Sequence, residues 1–148
     1  MNQTSADERI VQEITINAPA ERIFAALTKP DQRSQWWGAE GRFQTTDMES
    51  DLRPEGKWMM RGKGVGGKAF RVGGEYVSIE PPRLLAFTWL ADWDPSGKES
   101  LVRFDLEERD GVTTVRLTHS RLSIEGIRTH KGWPDILEWL RAYVEADS

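Results

Sequence analysis

Apolar positions recur every second residue through most of this chain and take a wider, helical spacing near its start and at its end. Period two marks strands, whose side chains alternate between faces, and a period near 3.6 marks helices. Residues 9–17 place Ile10, Ile14 and Ile16 on one face and predict a first strand. Residues 18–29 begin with Pro19 and Glu21, which suit a first helical turn, and bury Ile23, Phe24 and Leu27. A second short helix is predicted over 31–36, closed by Trp37-Gly38.

Strands follow in succession. Residues 45–53 present Thr46, Met48, Ser50 and Leu52 to one side, and 57–63 present Trp58 and Met60. Residues 69–80 form a strand expected to bulge or bend at Gly73-Gly74. Residues 84–91 turn Leu85, Phe87 and Trp89 one way, and 101–107 do the same with Val102, Phe104 and Leu106. Asp110-Gly111 signals a hairpin into 113–119, where Val115, Leu117 and His119 share a face. The glycine cluster Gly64-Val65-Gly66-Gly67 reads as a turn, because no Gly-Lys-Ser/Thr follows it as a phosphate loop requires. Residues 121–131 are an approach that is already helical in character.

The chain ends in a broad amphipathic helix. Trp133, Ile136, Leu137, Trp139, Leu140, Tyr143 and Val144 fall on one side, with Asp135, Glu138, Arg141 and Glu145 opposite. A run of strands with helices segregated from it defines an α+β domain, here with about six or seven antiparallel strands, two short helices and a long C-terminal helix. The expected organisation is a polar, disordered tail over 1–8 and one domain over 9–148.

Composition narrows the function. Twenty Lys and Arg are interspersed with 24 Asp and Glu, for a net charge of −4, which excludes the concentrated positive surface of a nucleic-acid binder. There is no cysteine, hence no disulfide or thiolate metal site, and a reducing cytoplasm is the expected compartment. The first eight residues lack the basic and apolar regions of a signal peptide, and no apolar run is long enough to insert in a membrane. Two distant histidines make no metal site, and no cofactor is expected. The seven tryptophans predict an interior rich in aromatic rings, either as bulky core or as the wall of a cavity.

Several short motifs, in order, carry a resemblance. Ala18-Pro19-Ala20-Glu21-Arg22-Ile23-Phe24, Trp36-Trp37, Asp51-Leu52-Arg53-Pro54-Glu55-Gly56-Lys57-Trp58, Glu80-Pro81-Pro82-Arg83-Leu84, Thr88-Trp89 and Gly132-Trp133 together cover most of the chain. From about Arg9 to Ala146 the sequence resembles the activator of heat-shock-protein-90 ATPase homologue-like family, within the START-like (SRPBCC) superfamily of helix-grip carriers. It departs at Glu55-Gly56, where the family usually has two glycines, and at Pro134, where either a helix start or a kink is expected.

The resemblance implies a helix-grip fold, a curved antiparallel sheet with the last helix packed across it and a cavity between them. On the alternation above, Trp58, Met60, Phe87, Trp89, Phe104 and Leu117 from strands and Trp133, Leu137 and Leu140 from the helix can face that cavity, with Trp36 and Phe43 closing one end. His119 lies in phase with Val115 and Leu117, where a neutral imidazole could orient a ligand or serve as a base; a structural role is the alternative. His130 is expected at the surface, and Arg71 with Glu75 as a solvated pair. The first reading is a non-enzymatic binding protein for an apolar or aromatic small molecule. The rivals are an enzyme of the polyketide cyclase or dehydratase kind using His119, and a module with a chaperone partner.

Overall fold

The computed structural model describes residues 8–39 and 41–146 and contains one antiparallel sheet of eight strands. The elements are β1 (Glu8–Ile16), α1 (Ala20–Thr28), α2 (Pro30–Trp36), β2 (Gly38–Ala39), β3 (Phe43–Ser50), β4 (Lys57–Gly64), a 3-10 turn (Val65–Gly67), β5 (Ala69–Glu80), β6 (Leu84–Ala91), β7 (Ser100–Arg109), β8 (Val112–Leu122), α3 (Ile124–Thr129) and α4 (Trp133–Ala146). The extra strand over expectation is the two-residue β2, too short for any alternation to reveal. The tail expected over 1–8 lies outside the described residues, except for Glu8, whose backbone opens β1.

Strand order is β1-β8-β7-β6-β5-β4-β3-β2, so α1 and α2 carry the chain from one edge of the sheet to the other. Laid flat, eight strands would span about 34 Å, whereas a 14-residue helix is only about 21 Å long. Yet α4 touches both edge strands, β1 and β2, as well as α1 and α2. The sheet is therefore curled around the helix. Trp133, Ile136, Leu137, Leu140 and Val144 are buried along that helix, and Trp139 and Tyr143 are half-buried at the borders of the stripe. Pro134 starts the helix and does not kink it, since a first-turn residue has no intrahelical acceptor for the N–H that proline lacks.

Two strands depart from simple alternation. In β3 the pairing with β4 shifts between Thr45 and Asp47, so Thr45 and Met48 both turn inward and Thr46 is exposed; Leu52 is exposed because it lies beyond the end of the strand. The bulge expected at Gly73-Gly74 lies further along, between Tyr76 and Ser78. Gly74 is required by close approach instead, because a Cβ there would sit 2.1 Å from the Thr88 carbonyl oxygen. Asp110 and Gly111 both adopt positive φ, the backbone of the tight hairpin that their sequence signals.

The turn between β3 and β4 holds Glu55 at φ 68°, where a side chain is disfavoured and where the resembling family usually has glycine. Glu55→Gly is expected to raise stability by about 0.5–1 kcal/mol, the relief of the left-handed backbone less the entropy that glycine loses on folding. A urea midpoint unchanged or lowered would show that this turn carries no such strain.

Candidate binding cavity

A cavity of about 510 Å³ opens where three parts of the chain converge. One wall is the turn between β4 and β5 with Phe70, the second is the end of β6 with Trp89 and Trp93, and the third is the α3–α4 corner with His130, Gly132, Trp133 and Ile136. Trp37 and Phe43 complete it, with Arg42, Lys68 and Asp92 supplying charge. The rings hold one another edge to face, Phe70 lying 5.4 Å from Phe43 and 5.7 Å from Trp93 between centroids. A wider groove of about 980 Å³ adjoins it through Trp37, Arg42 and Phe43.

Three of these wall residues, Trp89, His130 and Trp133, form a buried cluster with His119, which lies behind them. The Trp133 indole donates to His119 Nδ1 at 3.0 Å, and the Trp89 indole donates to His130 Nε2 at 2.9 Å. Each acceptance fixes a tautomer. His119 therefore carries its proton on Nε2, which meets the Ser100 hydroxyl at 2.7 Å, and that hydroxyl donates to the Trp89 carbonyl. His130 carries its proton on Nδ1 and donates to the Gly126 carbonyl at 2.8 Å. The two imidazoles stand 5.0 Å apart, edge to face. Burial, and secondarily the neighbouring His130, pushes the His119 pKa down to about 3, and burial also lowers that of His130. Both rings are neutral at ordinary pH, and neither keeps a free lone pair with which to take a substrate proton.

Of the residues expected at a site, Phe43, Trp89 and Trp133 line the cavity. His119 is fully buried one layer behind it. Trp36 turns away to donate to the Ala26 carbonyl, and Trp58, Met60, Phe87, Phe104, Leu117, Leu137 and Leu140 pack in the core without reaching the cavity wall. His130 is not at the surface as expected but 5% exposed, because it lies over Trp89 from a distant strand. Glu75 faces Lys57 across the β4–β5 ladder at 3.7 Å, not Arg71. Among the described residues no group of three or more His, Cys, Asp or Glu is placed to hold a metal ion.

Trp37, Phe70, Trp93 and Ile136 were not singled out as cavity residues, and Arg33 escaped notice entirely. Arg33 is 1% exposed, its guanidinium lying 4.5 Å from the Trp37 ring, 5.0 Å from Trp58 and 5.4 Å from Phe87. Its Nε and Nη2 have no hydrogen-bond partner. Desolvation pulls its pKa down to about 10, with Tyr76 acting weakly in the opposite sense. The signal was present in the spacing, since Arg33 precedes Trp36 and Trp37 by three and four residues and shares their side of the helix.

A curled antiparallel sheet gripping a long terminal helix, with an aromatic cavity at one end, defines a START-like helix-grip protein. This chain belongs to the family described as Activator of Hsp90 ATPase homolog 1-like protein, whose sequence profile matches residues 17–145. An AHSA1-like protein from Aeromonas hydrophila is similar in structure, with a TM-score of 0.78 at 25% identity over 95% of this chain and 94% of that one. The protein CV1439 from Chromobacterium violaceum shares the fold, with a TM-score of 0.79 at 22% identity over 93% of this chain and 96% of that one. A Schizosaccharomyces pombe protein, C1711.08, is 26% identical over 73% of this chain, which spans only 28% of that relative's length.

Proposed function

We propose that this chain binds a small apolar or aromatic molecule in the cavity between the curled sheet and the α3–α4 corner. The observation that carries the reading is a space of about 510 Å³ walled by aromatic rings, within the usual size for a small-molecule site. A ligand burying about 300 Å² of apolar surface there would gain roughly 7 kcal/mol before association costs, so micromolar binding, at about 8 kcal/mol net, requires further polar or ring contacts as well. The wall is preorganised, because Trp89 and Trp133 are tied by their indole N–H groups to the buried histidines. The cyclase-like alternative with His119 as base is disfavoured by the full engagement of that ring. The chaperone-module reading rests on the family's name. Among the described residues no helix is long and apolar enough to cross a membrane, and we take the cytoplasm as the working compartment.

The test is a tryptophan-fluorescence titration with fatty acids, isoprenoids, flavonoids and polycyclic aromatics. Gly132 lines the cavity, and a Cβ added there would meet no atom within 4 Å, so Gly132→Phe is the variant chosen to put bulk at that wall. Saturable binding by one class, weakened at least about tenfold in Gly132→Phe while the melting temperature holds, is the expected result. No saturable response from any class would turn attention to a filled core and a protein partner.

A further inference from the structure

Resting on the cavity reading above, we propose that the bound molecule is a carboxylate, its apolar body in the cavity and its head group held by Nε and Nη2 of Arg33. Three rings, Trp37, Trp58 and Phe87, surround the planar cation. Attraction to ring faces offsets part of its charge but offers nothing to its N–H donors. Among the described residues no carboxylate pairs with Arg33, and the phenol of Tyr76 is engaged with the Ser50 hydroxyl at 2.6 Å. Buried donors left without acceptors, and a buried cation without an anion, are both costly. Something that completes the site is therefore favoured.

The two nitrogens that are both shut off from solvent and without a partner set the class of ligand. Nε and Nη2 lie on the same edge of a guanidinium, and their parallel N–H bonds match the two oxygens of a carboxylate. Access runs past Trp37, whose indole stacks on Arg33 and also lines the cavity, so the guanidinium lies one ring behind the wall. Trp37 directly follows the seven-residue α2, and rotation of its indole is the movement that joins cavity and cation.

The experiment uses matched probes that share a body and differ in charge. Calorimetric titration compares 2-naphthoate with 2-naphthylmethanol, and decanoate with decanol, on the full chain. At least one acid is expected to bind about tenfold or more tighter than its alcohol, the preference shrinking to about twofold or less in Arg33→Met and being only partly retained in Arg33→Lys. Because a core variant can fail to fold, the Arg33 Nε–H proton resonance is followed by NMR in the wild type. It should move downfield with the acid and not with the alcohol. Equal affinity for acid and alcohol, with both blocked by Gly132→Phe, would overturn the carboxylate assignment and leave the cavity standing. A preference that survives Arg33→Met would also overturn it, and failure of every probe to bind would remove the cavity reading together with it.

Discussion

Lowering the pH from about 7.5 to about 5 is expected to reduce unfolding free energy by roughly 2 kcal/mol through His119 alone. The unfolded imidazole takes a proton near its usual 6.5, while burial and the adjacent His130 hold the folded group at about 3. As pH falls between those values the unfolded chain binds protons that the folded one refuses. The stabilisation is therefore complete above 6.5 and is lost at about 1.4 kcal/mol per pH unit on the way down. His130 acts in the same direction, its pKa lowered by burial and only partly restored by the Gly126 carbonyl and by Asp94. The structural reason is specific. A proton on His119 Nδ1 would face the Trp133 N–H, setting donor against donor in a site that water does not reach.

Urea midpoints at several pH values between about 5 and 7.5 give the slope, and His119→Met removes the titrating group. The variant should be weaker throughout, because Trp133 and Ser100 lose a partner, yet flatter with pH by His119's share. A variant with the wild-type slope would show that His119 titrates normally in the fold.

How far the sequence foretold this arrangement depended on whether the decisive contact was local. The inward faces of β4, β6, β7 and β8 follow from period two, because Trp58, Phe87, Phe104 and Leu117 sit on strands that stay in register where those residues lie. The same logic failed in β3, where a bulge changes the face between Thr45 and Asp47. Such a shift is a property of the pair of strands and leaves little trace in one of them. His130 sits between Thr129 and Lys131, a polar run that suggests exposure, but the ring it packs on is Trp89, 41 residues away. For the cavity, the count of aromatic residues announced an unusual interior without saying which rings would close together. Trp58 and Phe87 meet at 5.0 Å in the core, while Phe70 contacts both Trp93 and Phe43 around the cavity.

The largest single loss of stability is expected from Trp133→Ala, about 3–5 kcal/mol, or a fall in melting temperature on the order of 10 °C. Trp133 is 2% exposed at the first turn of α4, and its ring contacts Trp37 at 5.7 Å, Trp89 at 5.4 Å and Phe104 at 6.4 Å. Truncation removes all of these contacts, and because the ring also lines the cavity, the space it leaves merges with the cavity and is not refilled by neighbours. It also orphans His119 Nδ1, adding the penalty of an unpartnered acceptor in a dry site. Trp133→Phe separates the two effects, since most of the ring is kept while the hydrogen bond is lost, and about 1–3 kcal/mol should then disappear. The orphaned nitrogen is at the same time released to take a proton, so His119 in Trp133→Phe should titrate at a higher pH than in the wild type. Calorimetric melting of both variants, with the His119 ring protons followed by NMR against pH, checks the pair of expectations. A Phe variant as stable as the wild type, with an unmoved titration, would mean that the indole N–H contributes nothing and that the ring alone holds α4 against the sheet.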